Sequence, residues 1–104
     1  MEREIEFIEP NPCNFTIYSK SGCENCRKVK KILSYKKFLY VEINCDDYII
    51  DDKDNFLLFI KEKANADCNV FPMVFYNGAY IGGYKETSNY CDKLSVTFEN
   101  DINF

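Results

Sequence analysis

Two cysteines two residues apart, in Ser19-Lys20-Ser21-Gly22-Cys23-Glu24-Asn25-Cys26, stand where an extended apolar run gives way to a helical pattern. The run before them, Phe15-Thr16-Ile17-Tyr18, is aromatic and β-branched and reads as a strand. After them Val29, Ile32 and Leu33 fall at i, i+3 and i+4. That stripe predicts a helix from Cys23 or Glu24 to about Lys36. A thiol at such a junction faces the unpaired N–H groups and the positive end of the helix dipole, and both favour thiolate over thiol. Lys20 and Arg27 add positive charge nearby. Cys26 precedes Val29 by one helical turn and shares its inward face, which leaves Cys23 at the exposed tip. The asymmetry suits an attacking sulfur outside and a resolving one within.

The same spacing also serves as half of a zinc site or as a pair of inert structural cysteines. Zinc needs a second ligand pair at matching spacing. The chain has no histidine and no second C-x-x-C, and Cys13, Cys45, Cys68 and Cys91 are scattered singly. A redox-active dithiol is therefore the favoured reading, and no metal is expected.

A chain of 104 residues supports one domain. No apolar run approaches the roughly 18 residues of a membrane span, so no membrane partner is expected. The start, Met1-Glu2-Arg3-Glu4, is unlike the basic, then apolar, start of a signal peptide. A cytoplasmic location is the expectation, with most thiols free and any disulfide catalytic or transient. The net charge of −4 disfavours general nucleic-acid binding. Charge is segregated, however. Residues 20–37 carry seven Lys or Arg against one acid, and residues 42–54 carry six acids against one Lys. An anionic partner would be steered to the basic half, which holds the C-x-x-C.

Residues 1–12, ending in Pro10-Asn11-Pro12, read as an arm before the domain. Cys13 is expected to be a small buried hydrophobe. Phe38–Ile43 is a second strand, parallel to the first across the helical crossover. Asn44–Asp52 is expected to be an acidic loop that lacks the glycine and spacing of a calcium site. Its last aspartates, with Asp54, suit the first turn of a helix running to about Ala64. Val70–Tyr76 and Ala79–Gly83 flank Asn77-Gly78, the strongest short hairpin signal. Pro72 fits a strand start, and its peptide bond is a candidate for the cis form. Gly82-Gly83 suits positive φ or a close backbone approach. A last helix over Tyr84–Leu94 would have Thr87 or Ser88 as its N-cap. Residues 95–104 form a tail in which Val96-Thr97-Phe98 looks extended.

The order strand, C-x-x-C, helix, strand, helix, hairpin, helix resembles the thioredoxin-like arrangement, and more closely the glutaredoxins. Their motifs run S-K-x-x-C-x-x-C, T-V-P and N-G-x-x-I-G-G-x-x-[DE]. Here they read Ser19–Cys26, Val70-Phe71-Pro72 and Asn77–Glu86, in order, across residues 13–94. The resemblance implies an α/β fold with a central four-stranded mixed sheet and about three helices. It implies a glutathione-dependent thiol–disulfide oxidoreductase, monomeric, reducing protein disulfides and glutathione mixed disulfides. Ribonucleotide reductase is one candidate target. Cys23 would be the nucleophile and Cys26 the resolving cysteine. Lys20 would meet a glutathione carboxylate and lower the nucleophile's pKa. Phe71, before Pro72, would offer its backbone to the glutathione cysteine, and Gly83, Tyr84 and Lys85 would take the γ-glutamyl end. Departures from the family pattern are Glu24-Asn25 for the usual Pro-Tyr, Val70-Phe71 for Thr-Val, Met73 for a basic residue, and Lys85 for a small or acidic one. Two other readings keep the same fold. One is a redoxin fed by thioredoxin reductase, and the other an iron–sulfur cluster carrier.

Overall fold

The computed structural model describes the backbone of residues 6–102 and the side chains of residues 6–94. The elements are β1 (Phe15–Ser19), α1 (Glu24–Tyr35), β2 (Tyr40–Asn44), α2 (Asp46–Ala64), β3 (Met73–Tyr76), β4 (Ala79–Gly82) and α3 (Tyr84–Ile102). They build one mixed sheet in the order β2-β1-β3-β4. β1 and β2 pair in parallel, Phe15 opposite Tyr40 and Ser19 opposite Asn44. β3 runs antiparallel to both β1 and β4.

All five β1 residues are buried, as a central strand covered on both faces requires. Its alternation feeds two cores. Phe15 and Ile17 pack with Val29, Leu33, Val74 and Cys91 on the α1/α3 side. Tyr18 packs with Ile43, Cys45, Phe56, Ile60, Met73 and Phe75 on the α2 side. Burying a side chain such as Ile17 or Phe56 contributes roughly 1.5–3 kcal/mol.

The described part of the arm, residues 6–12, lies on the α2 side. The Phe7 ring meets Tyr48, Phe56 and Phe59 at 5.0–5.6 Å. The buried Tyr18 hydroxyl donates to Ile8 O at 2.6 Å, which satisfies a polar group that would otherwise be stranded. Residues 1–5 of the arm, and residues 103–104 of the tail, lie outside the described residues.

Five expectations change. Cys13 is exposed rather than buried, because β1 begins two residues later. The stretch after β2 is helical from Asp46, where an acidic loop was expected. Asn44 Oδ1 accepts the Asp46 N–H at 2.9 Å, Asp46 and Asp47 occupy the first turn, and Tyr48 and Ile49 pack on the core. The helix breaks at Asp52 (φ −160°, ψ 67°), and a second segment continues beyond it, as the sequence predicts. β3 starts at Met73, not Val70, and Val70 is exposed. α3 starts at Tyr84, with neither Thr87 nor Ser88 as its N-cap, because Gly83 O accepts the Thr87 N–H at 3.0 Å. α3 continues to Ile102, so residues 96–98 are helical and not extended.

Candidate active site

Cys23 is the N-cap of α1, in an extended conformation, and is partly exposed. Its Sγ accepts the backbone N–H of Cys26 at 3.1 Å, and its carbonyl accepts the Arg27 N–H at 3.3 Å. A sulfur thus takes the position that Ser or Asp usually holds at a helix start. Cys26 is only 2% exposed, so the outer and inner positions of the two sulfurs are as the sequence predicts. The two are joined as a disulfide with Cα atoms 5.2 Å apart, inside the usual window.

The loop carrying Cys23 is clamped by the start of α2, which follows β2 beside β1. Both the backbone N–H and the hydroxyl of Ser21 donate to the Asp46 carboxylate at the start of α2. The hydroxyl bond, then the backbone one, hold the Asp46 carboxyl below its ordinary pKa, with Lys20 adding to the effect. Gly22 takes φ +74°, which suits a residue without Cβ. Glu24 is adjacent to the nucleophile and its charge opposes a thiolate. Arg27 engages that carboxylate directly and, by hydrogen bond and charge, holds it ionised below the ordinary carboxylate range.

A groove of about 360 Å³ meets the C-x-x-C at Asn25, while neither Cys23 nor Cys26 is on its lining. Phe71, Pro72, Gly83, Tyr84 and Lys85, all expected at the site, line it together. Asn25, Cys68, Tyr80 and Glu86 complete much of the wall. Lys20 is not on the lining. It reaches the groove through Phe71, its Nζ lying 5.6 Å from the ring centroid on the loop before Cys23. Phe71 in turn stacks on the buried Phe56, centroids 6.2 Å apart and planes 5° apart. The Phe71–Pro72 peptide is cis.

Gly82 is needed as a glycine, whereas Gly83 has room for a Cβ and acts through its backbone. Gly82 has φ +137°, and a Cβ there would stand 2.7 Å from Glu86. Gly83 donates its N–H to Glu86 Oε1 at 2.9 Å, one half of a capping box at the start of α3. The first-turn N–H groups of α3, those of Tyr84 and Lys85 among them, have no acceptor within the helix, and both residues line the groove.

Sequence reasoning missed Asn25, Cys68, Tyr80 and Asp46. Asn25 and Tyr80 lie inside quoted motifs and could have been read from their position. Asp46 and Cys68 lie outside every motif and reach the site only through long-range folding. Three of the remaining thiols are held neutral by burial. Burial pushes the Cys45 thiol up to about 12 and the Cys91 thiol up to about 11. Burial also raises Cys68, against a hydrogen bond from Tyr80. Among the described residues, no group of three or more His, Cys, Asp or Glu is arranged to hold a metal ion.

The sheet order, the flanking helices and a C-x-x-C at the head of the first helix define the thioredoxin-like class of fold. The fold is shared with glutaredoxin 1 of Francisella tularensis, solved with cacodylate, at a TM-score of 0.68, 24% identity and coverage of 77% of this chain and 93% of that one. It is also shared with a buckwheat glutaredoxin solved with glutathione, at a TM-score of 0.61, 26% identity and coverage of 77% and 71%. Residues 15–81 match the glutaredoxin family model. Glutaredoxin 1 of Rickettsia bellii is 33% identical over 78 residues, 75% of this chain and 69% of that protein. Glutaredoxin 1 of Rickettsia typhi is 27% identical over 73 residues, 70% of this chain and 65% of that protein. The match thus spans just under two thirds of the latter relative's length. The chain belongs to the glutaredoxin family.

Proposed function

We propose that this chain is a glutathione-dependent thiol–disulfide oxidoreductase acting through Cys23 and Cys26. The observation that carries the proposal is a partly exposed N-cap sulfur, met by a backbone N–H at 3.1 Å, two residues before Asn25 on the wall of a groove of about 360 Å³. That volume is in the range of small-molecule sites. Its donors suit a peptide with carboxylates at both ends. The α3 N-terminus attracts one anionic end, and Lys20 and Lys85 supply mobile positive charge. Of the acids on the lining, Glu86 is occupied by the Gly83 N–H and Asp67 by Lys61 at 3.1 Å. The buckwheat relative was solved as a glutathione complex, which favours the same ligand here.

In the proposed reaction the Cys23 thiolate attacks one sulfur of a substrate disulfide. That S–S bond breaks, and the departing sulfur leaves as a thiolate that takes a proton. Cys26 then attacks Cys23, releases the bound half as a second thiol, and closes the Cys23–Cys26 disulfide. Two glutathione thiols reopen it, and are oxidised to glutathione disulfide. On a glutathione mixed disulfide, free glutathione can resolve Cys23 in place of Cys26. Phe71 would offer its backbone to the bound cysteine, beside Pro72. Gly83, Tyr84 and Lys85 would hold the γ-glutamyl end. The proposal extends to a monomer working in the reducing cytoplasm on protein disulfides, with ribonucleotide reductase as one target to assay.

Mass spectrometry of the Cys26→Ser protein mixed with glutathione disulfide tests the proposal. One glutathione added at Cys23 is the expected product. An unmodified Cys23, in a protein that still consumes NADPH when coupled to thioredoxin reductase, would replace this reading with the redoxin one.

A further inference from the structure

Most of the positive charge of this acidic chain lies in and around one helix, α1, directly after the nucleophile. The helix buries Cys26, Val29 and Leu33. Its opposite face carries Glu24, Lys28, Lys31 and Tyr35 at i, i+4, i+7 and i+11, a straight line along the outer surface. The line is roughly 16 Å long at 1.5 Å per residue. Glu24 is spoken for by Arg27, Lys30 by Glu42 at 2.9 Å, and Lys36 by Asp92 at 3.2 Å. Lys31 makes no ion pair among the described residues. Tyr35, at the far end, is 84% exposed. It borders a shallow, almost wholly apolar groove of about 510 Å³, shared with Lys31, Ile32 and Lys36.

A solvated helix face explains exposed lysines, but not an exposed tyrosine and an apolar groove at the end of them. Tyrosines of this kind are enriched where proteins dock, because a rigid ring buries much area at little entropic cost. Positive charge next to an apolar anchor selects a partner of opposite charge with an apolar side chain. A disulfide presented to Cys23 brings its own chain to the start of this line.

We infer that the outer face of α1, from Lys31 to Tyr35, docks an acidic segment of a protein disulfide substrate, with one apolar side chain of that segment seated against Tyr35 and Ile32. The inference deepens the oxidoreductase reading, on which its substrate role rests. It adds a substrate class, namely disulfides flanked by acidic residues and an apolar anchor.

The test uses the full chain and two peptides. Each carries one cysteine as a mixed disulfide with glutathione, followed by four variable positions and then a leucine, which at about 3.3–3.6 Å per extended residue reaches Tyr35. The positions are Glu in one peptide and Gln in the other. At low salt the acidic peptide is expected to turn over about tenfold faster, in the range of electrostatic steering. At about 0.5 M salt the advantage should fall below about twofold, since charges then see each other over only a few ångströms. Lys31→Glu should remove most of the advantage. Tyr35→Ala should slow both peptides about threefold, with an unchanged salt dependence, as an apolar contact predicts. Both variants should turn over 2-hydroxyethyl disulfide with glutathione at the rate of the unaltered protein. Equal rates for the two peptides, or an advantage that survives Lys31→Glu, would overturn the docking surface. Binding is also read without turnover, through the backbone NMR shifts of Lys31 and Tyr35 on adding the acidic peptide with its cysteine replaced by serine. Shifts confined to this face support the surface even if catalysis fails, and that failure would count against the oxidoreductase reading alone. No shifts, or a stronger response to a DNA oligonucleotide than to the peptide, would overturn the surface itself.

Discussion

The backbone N–H of Cys26 donates to Cys23 Sγ at 3.1 Å within the disulfide, which places a donor where a Cys23 thiolate would carry its charge after reduction. This bond belongs to the backbone, and survives any change of the Cys26 side chain that leaves α1 intact. Cys26→Ser should therefore keep a reactive Cys23. Reduction of a glutathione mixed disulfide is expected within a few-fold of the unaltered protein, while reduction of protein disulfides is lost. Cys23→Ser should abolish both. Equal losses in the two variants, measured by coupled glutathione oxidation, would remove the division of roles.

The Glu24–Arg27 pair makes a second expectation. Glu24 alone would raise the Cys23 pKa by repulsion, and Arg27 offsets it at short range. Arg27→Ala uncovers the acid, so the Cys23 thiolate should titrate at higher pH than in the unaltered protein. Glu24→Gln should move it the other way. Thiolate absorbance in the ultraviolet, followed against pH in the Cys26→Ser background, reads both shifts. A shift of the same sign in the two variants would refute the offset.

Much of this site was legible because its parts are local. A strand that ends in Tyr18, a glycine turn and an apolar stripe from Val29 placed Cys23 outside and Cys26 inside without any tertiary information. The Asn77-Gly78 hairpin was equally local, whereas the cap of α3 lies before Tyr84 and not at Thr87 or Ser88, and only the resemblance pointed to Gly83, Tyr84 and Lys85. Contacts distant in sequence were not legible. Ser21 and Asp46 are 25 residues apart, and the clamp exists only because β2 pairs in parallel with β1 and delivers the start of α2 beside the loop. The same stretch was misread as a loop because its hydrophobic side chains, Tyr48 and Ile49, lack a full helical period before the break at Asp52. Cys13 was misread from composition. Cysteine is usually buried, but this one precedes the strand that would have buried it.

The Ser21–Asp46 clamp predicts an acid-side stability difference. The folded Asp46 carboxyl titrates below its unfolded value of about 3.9. A depressed carboxyl stabilises the fold above the unfolded pKa, and that contribution is lost as pH falls through the folded one. Asp46→Asn removes the ionised partner at every pH. Urea midpoints of the unaltered protein and Asp46→Asn should differ at neutral pH and converge as the pH drops below about 4. Parallel curves through that range would show that Asp46 does not act through its charge.

The four free cysteines should separate by reactivity. Brief alkylation of the native, oxidised protein, followed by peptide mass mapping, is expected to label exposed Cys13 first and half-buried Cys68 slowly. Cys45 and Cys91 should label only on unfolding, because each is fully buried and its thiol is held neutral. Their folded values, about 12 and about 11, lie above the ~8.5 of an unfolded thiol, so folding favours the protonated form. That stabilisation is complete below about pH 8.5 and declines as the pH rises towards the folded values. Cys45→Ala should flatten the alkaline loss of thermal stability. An unchanged alkaline slope would assign that loss elsewhere.

Thr87 supplies a test of the groove wall that does not touch the cysteines. It lies in the first turns of α3, fully buried, and its hydroxyl has no hydrogen-bond partner among the described residues. An unsatisfied buried hydroxyl costs about 1–3 kcal/mol. Valine has nearly the same shape and helix propensity, and lacks the stranded oxygen. Thr87→Val should therefore raise stability by about 1 kcal/mol, or roughly 4–8 °C in Tm for a domain of this size. Activity with 2-hydroxyethyl disulfide should stay unchanged, because the α3 start is set by Gly83 and Glu86 and not by this hydroxyl. A lower Tm with a raised Michaelis constant for glutathione would mean that the oxygen serves the bound ligand, and would move Thr87 into the site.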